Sequence, residues 1–181
     1  MKMRTLVRAR TLLAAGLVGA LVVPLTALGG NSLSSRTTTI SSSKLATLER
    51  QANLWEIDQI EVKFHKATST HNLNLMMSLW APGAVFNIDQ QTLVGKTQIR
   101  HWFATENKAF QPQNHWESDT PTYKEKIHLY GDKATFYYEC HFIDPATAKV
   151  VALAGVTHTV QKIHGKWLIT NSAGSTATLS P

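Results

Sequence analysis

The side chains of this chain that could do acid–base chemistry are dispersed histidines, eight of them in 181 residues. Two of them occupy informative positions: His115 lies in a polar loop beside Trp116, and His158 lies within a long apolar segment. Imidazole titrates near neutral pH, so either residue could act as a general acid or base. A loop histidine beside a packed tryptophan is more often a plain surface residue, so two interpretations of His115 stay open.

Metal and cofactor motifs are absent from the sequence. There is no HExxH pair, and the His115–Glu117 tripeptide lacks the downstream PCxxC of a zinc deaminase. The adjacent residues Glu139–His141 fall on a predicted strand, where successive side chains point to opposite faces and cannot converge on one ion. There is no glycine-rich phosphate loop and no GxSxG motif. We therefore expect no metal and no cofactor.

The formal charge of +6 comes mainly from the N-terminus, where Lys2, Arg4, Arg8 and Arg10 precede any acidic residue. In the rest of the chain basic and acidic residues nearly balance, and no basic stripe is present that could follow a phosphate backbone. We expect no nucleic-acid partner.

Residues 1–29 have the features of a secretory signal peptide. The basic start is followed by the apolar run Leu12–Leu28, and small residues occur at Ala27 and Gly29. This pattern predicts cleavage after Gly29 and a secreted or extracytoplasmic protein. The alternative is an uncleaved anchor, which would be the protein's only contact with the membrane.

The remaining chain divides into three parts. Residues 30–44 are rich in Ser and Thr and are predicted to be a disordered linker. Residues 45–175 are predicted to form one domain, and residues 176–181 a frayed tail. The single cysteine, Cys140, cannot form an intramolecular disulfide and is expected to be a small buried side chain on a strand.

Hydrophobic periodicity predicts helices first and strands afterwards. Apolar residues recur at helical spacing from Leu45 to Ala67, which predicts a long first helix with Trp55, Ile60 and Phe64 buried. Asn72 can cap a second, short helix, and Ile99, Trp102 and Phe103 form the inner face of a third helix over 97–107. Strands are predicted at 84–88, 92–94, 123–130, 134–143, 149–163 and 167–173. The order indicates an α+β domain in which a curved antiparallel sheet wraps around the first helix.

Four local patterns occur in a consistent order. They are the helix–turn–helix–strand opening Phe64–Phe86, the glycine entry Gly95–Arg100 to the third helix, the hairpin Tyr130–Ala134, and the ending His164–Ile169. Together they resemble the nuclear transport factor 2-like superfamily and, within it, the SnoaL-like domains related to ketosteroid isomerases and polyketide cyclases. The resemblance implies a cone-shaped, cystatin-like fold whose open mouth is the default small-molecule site.

The resemblance also implies which side chains face the cavity. The expected ligand pocket consists of Phe64, Trp80, Phe86, Ile88, Phe103, Tyr138, Cys140, Phe142, Thr157 and Thr159. Tyr138 is the best polar group in this set and is either an acid or an ordinary core tyrosine. His158 is expected to point outward, opposite Thr157 and Thr159, unless the strand register differs by one residue.

The catalytic positions of ketosteroid isomerases are not retained. By the resemblance, Phe64 stands in place of a tyrosine, Ile88 in place of the base aspartate, and Thr157 and Thr159 in place of a later acid. We therefore expect binding of a small hydrophobic ligand without ketosteroid isomerase activity; other isomerase, dehydratase or cyclase chemistry stays open. The alternative is a non-catalytic binding or assembly module that forms a homodimer through the convex face of its sheet.

Overall fold

The first helix, α1, spans Ser42–Ser69 in the computed structural model, which describes residues 40–119 and 122–179. It begins where the Ser41 side chain caps it by accepting a hydrogen bond from the Lys44 backbone N–H. The helix therefore starts inside the segment predicted to be a linker. The predicted signal peptide and residues 30–39 of the predicted linker lie outside the described residues.

The two halves of α1 have different environments. In the C-terminal half, Ile57 and Ile60 are buried, as the periodicity predicts. In the N-terminal half, Trp55 is 64% exposed, so the prediction that it is buried is wrong. The sheet already contacts α1 at Asn53, whose side-chain oxygen accepts hydrogen bonds from Lys162 and the Trp167 indole. Trp55 lies two residues further on and therefore on another side of the helix, which the sheet leaves largely uncovered.

Two shorter helices and a hairpin follow. Helix α2 (Leu73–Ser78) is capped by Asn72, whose Oδ1 accepts from the Leu75 N–H at 2.9 Å, as predicted. Strands β1 (Trp80–Ile88) and β2 (Gln91–Val94) form an antiparallel hairpin that leads into α3 (Gly95–Thr105). The inner face of α3 buries Ile99, Trp102 and Phe103, which confirms the predicted stripe. A short 3₁₀ helix, Lys108–Phe110, ends this part of the chain.

The rest of the domain is a sheet that continues from β1. Its further strands are β3 (Glu117–Ser118), β4 (Lys124–Tyr130), β5 (Lys133–Asp144), β6 (Lys149–Ile163) and β7 (Lys166–Thr178). The strand order is β2-β1-β7-β6-β5-β3, with β4 also paired to β5. All pairs are antiparallel except β1 with β7, so the sheet is mixed.

The predicted α+β class is confirmed: a long N-terminal helix packs against an open, curved sheet. The prediction that the strand ends near residue 173 is wrong, because β7 stays paired with β6 as far as Thr178. None of the helices in the described part of the chain combines the length and the hydrophobicity of a membrane-spanning segment.

Candidate functional site

The pairing of β5 with β6 decides which side chains enter the interior. Phe136 is the partner of His158 in the ladder, and paired residues share one face of the sheet. Phe136 and His158 are both fully buried, whereas Thr157 is exposed and Thr159 is half-buried. The prediction that both threonines face the interior and His158 faces outward is therefore wrong. The physical reason is that alternate residues of β6 face the core, and His158 belongs to the core-facing set with Val156 and Val160.

His158 is the centre of a buried chain of hydrogen bonds. Its Nε2 lies 3.1 Å from the hydroxyl of Tyr138, and its Nδ1 lies 2.9 Å from the hydroxyl of Ser172. Burial lowers the pKa of His158 to about 3 and raises the pKa of Tyr138 well above its ordinary value. All three groups are therefore neutral at pH 7, and each has no exposed surface in this conformation. The chain stabilises the interior but presents no group to a substrate.

A second buried polar pair lies on α1. His65 Nδ1 is 2.7 Å from Glu61 Oε1, and both residues are 1% exposed. Neither atom has a well-aligned hydrogen bond, so the contact is close but poorly oriented. The His65 ring packs edge-on against Tyr138, with 5.7 Å between ring centroids. Sequence reasoning missed this pair, although the signal was available: two polar residues one helical turn apart within the buried stripe of α1.

Aromatic rings fill the predicted ligand pocket. Phe103 contacts Phe64, Phe86 and Phe110 with ring centroids 5.9, 6.0 and 5.1 Å apart. Trp80 packs on Phe86 at 5.1 Å. All predicted pocket residues except the two threonines lie on the inner side as part of the core, with Phe64 only partly buried. Dense packing of this kind is typical of protein interiors, and contact of these residues with a ligand stays a prediction.

A cavity of about 200 Å³ opens where the ends of α3, β5 and β7 meet, and we call it the rim pocket. Its apolar wall consists of Trp102, Ala109, Trp116 and Phe142. Glu106, Lys108 and Thr176 add polar groups around this wall. Phe142 is the one predicted pocket residue that contributes to it.

The predicted catalytic candidates do not converge. Tyr138 and His158 meet in the interior, whereas His115 is exposed on the loop before β3. His115 lines an adjacent, more open depression with Asp144. Lys108 and Trp116 line both this depression and the rim pocket, whereas His115 does not line the rim pocket. Within residues 40–119 and 122–179, no group of three His, Cys, Asp or Glu side chains is placed to hold a metal ion.

Comparisons with known proteins agree with this architecture. The family model of the SnoaL-like domain matches residues 62–168. A protein of unknown function with a cystatin-like fold from Nostoc punctiforme superposes with a TM-score of 0.60 at 16% identity, covering 70% of this chain and 92% of that one. An NTF2-like protein from Novosphingobium aromaticivorans gives a TM-score of 0.60 at 12% identity, with 75% and 89% covered.

The structure of LinA is similar as well, with a TM-score of 0.62 at 14% identity over 75% of this chain and 93% of that one. At these identities the likeness shows the fold alone. No curated protein sequence matches the chain. Because the family model spans more than half of the chain, the protein belongs to the SnoaL-like domain family.

Proposed function

We propose that this protein binds a small, flat, largely apolar molecule in the rim pocket. The observation that supports the proposal is the wall made by Trp102, Trp116 and Phe142 beside the polar side chains of Glu106 and Lys108. Ligand sites commonly combine an aromatic lining with a few polar groups that fix orientation.

The size and charge of the pocket restrict the ligand. A volume of about 200 Å³ lies below the ~300–1,000 Å³ of drug-sized sites, which favours a compound of one or two rings. Lys108 can pair with a hydroxyl or a single carboxylate, and Thr176 can donate or accept a hydrogen bond. The carboxylates of Asp89 and Glu106 on the same pocket disfavour a polyanion.

Binding is better supported than turnover. The tyrosine and histidine that could act as acid and base, Tyr138 and His158, are fully buried and bonded to each other. A general acid or base must come within hydrogen-bond reach of the proton that it transfers. By the resemblance, Phe64 stands in place of a tyrosine and Ile88 in place of the base aspartate of ketosteroid isomerases, which supports the expectation that this activity is absent.

Calorimetric titration with 1-naphthol, a flat two-ring compound with one hydroxyl, tests the proposal. Replacing the exposed Thr176 by Trp places an indole in the pocket and should weaken binding at least tenfold. Thr157→Trp is the matched control, because it adds the same ring to the opposite face of the same sheet. No binding by the wild type at millimolar 1-naphthol, or equal weakening by both variants, would contradict the proposal.

Export is the second part of the proposed function. The basic start, the apolar run Leu12–Leu28 and the small residues at Ala27 and Gly29 support cleavage after Gly29. Mass spectrometry of the protein from its native host should find an N-terminus near Gly30. An intact N-terminus in the membrane fraction would indicate the anchor instead.

A further inference from the structure

The N-terminal half of α1 carries an apolar stripe that its own domain leaves uncovered. We call Leu45, Leu48, Ala52 and Trp55 the α1 seam. Leu45 is 50%, Leu48 45% and Trp55 64% exposed, and Ala52 is exposed as well. Large apolar side chains in a continuous exposed row on a helix commonly mark an interaction surface.

Most of the seam lies away from the rest of the domain. The domain contacts this part of the helix mainly from another side, where Asn53 bonds to Lys162 and Ile57 is fully buried. At the end of the seam, Trp55 borders an open cleft beside the β6–β7 turn, and its neighbour Glu56 lies 3.6 Å from the Lys162 ammonium. A partner helix can therefore approach the N-terminal part of the seam without displacing the domain.

The spacing of the seam identifies the kind of partner. Its members are separated by three, four and three residues, which is the a-d-a-d order of a heptad repeat. A helix with this repeat packs against another helix whose apolar positions recur in the same order. We propose that the N-terminal half of α1 pairs in parallel with the same segment of a second copy of this chain.

Charge complementarity supports both a second copy of the chain as the partner and a parallel orientation of the two helices. With Leu45 at an a position, Lys44 occupies g and Glu49 occupies the next e. In a parallel pair a g residue contacts the e residue five positions later in the partner helix, so Lys44 meets Glu49 of the other copy twice by symmetry. An antiparallel pair would instead bring the e residues Glu49 and Glu56 of the two copies together. Within the described residues, Lys44 and Glu49 make no ion pair of their own.

Two heptads are short for an isolated coiled coil, because a free helix must first be nucleated. Here the folded domain holds the C-terminal half of α1 helical, which removes much of that cost. We therefore expect association in the micromolar range. The interface is separate from the convex sheet face expected from the fold, and it leaves the rim pocket free.

Disulfide cross-linking of the full-length chain in nonionic detergent tests the pairing. Ala52→Cys places a thiol at an a position, where two copies of the same residue face each other only if the helices are parallel and in register. The native Cys140 does not compete, since it is buried and burial raises its pKa to about 12. Arg50→Cys, exposed on the same helix but outside the seam, is the matched control. At 10 µM protein and mild oxidation, Ala52→Cys should form dimers at least ten times faster than Arg50→Cys; equal rates would overturn the proposal.

Charge reversal gives an independent test of the register. In the Ala52→Cys background, Lys44→Glu or Glu49→Lys should each slow dimer formation several-fold, and the two together should restore it. A lipid surface is the competing partner for an exposed apolar stripe. If Ala52→Cys cross-links no faster than its control, while anionic phosphatidylglycerol vesicles shift the tryptophan fluorescence of the wild type to the blue but not that of Trp55→Phe, the partner is a membrane and the proposal is overturned.

Discussion

Removing one hydroxyl group tests the buried hydrogen-bond chain. In Tyr138→Phe, the Nε2 of His158 loses the partner that lies 3.1 Å away. Phe136, His65 and Phe64 surround the tyrosine ring with centroids 5.2–6.2 Å away, which leaves little space for a replacing water. An orphaned buried polar group costs about 1–3 kcal/mol, so we expect a loss of about 2 kcal/mol in the free energy of unfolding. That loss is a change of about 30-fold in the unfolding equilibrium.

Urea unfolding followed by tryptophan fluorescence measures this loss. The slope of the free energy of unfolding against urea concentration should equal that of the wild type, which shows that the native state is retained. Tyr137→Phe is the matched control, because it deletes the same hydroxyl from the neighbouring residue on the other face of β5. Tyr137 is half-buried and donates to Glu139, so water can replace the lost group and we expect a cost of about 0.5 kcal/mol or less. Equal losses for the two variants, or a loss below about 0.5 kcal/mol for Tyr138→Phe, would refute the reasoning.

Three further outcomes follow from burial and charge. In urea titrations, Phe64→Ala should lower the free energy of unfolding by about 3 kcal/mol. Trp55→Ala should change it by about 0.5 kcal/mol at most, because the Trp55 ring is 64% exposed. A larger loss for Trp55→Ala than for Phe64→Ala would contradict the packing of α1. Burial lowers the pKa of His158 to about 3 from 6.5, so between these values the folded state binds fewer protons than the unfolded state and stability rises with pH. Urea midpoints of His158→Gln across pH 4–6 should therefore rise less steeply than those of the wild type, and an unchanged slope would contradict this account. Burial, followed by repulsion from Asp58, raises the pKa of Glu125 to about 7 from 4.5. The contribution of Glu125 to stability is therefore present at low pH and is lost as the pH rises to 7. In thermal melts, Glu125→Gln should lose less melting temperature over this pH range than the wild type, and an equal loss would count against this account.

Local patterns were sufficient to predict most of the fold. Helical periodicity and the capping residue Asn72 placed the first two helices, and the stripe Ile99, Trp102 and Phe103 placed the third. The exposure of Trp55 could not be predicted in this way. Periodicity shows that apolar residues recur along a helix, but it does not show which of them the sheet covers.

The sequence predicted only some of the side chains of β5 and β6 that point into the core. The alternation of Val156, His158 and Val160 already indicated that His158 points inward, but the resemblance to isomerases suggested the opposite face. The resemblance implied that Tyr138, Cys140 and Phe142 of β5 point inward, and all three are buried in the core.

The rim pocket could not be found from local patterns. Its wall combines residues from α3, the loop before β3, and β5, which lie far apart in the sequence. Only long-range pairing of the elements brings them together, and a sequence without aligned relatives carries no direct record of that pairing.

The central claim is that a ligand occupies the rim pocket and not the aromatic interior. A crystal structure of the protein soaked in 1-naphthol tests this most directly. We predict density for the naphthol rings against Trp116 and Phe142, with the hydroxyl directed toward Lys108. Density among Phe103, Trp80 and Tyr138, or an empty rim pocket at saturating 1-naphthol, would contradict the account.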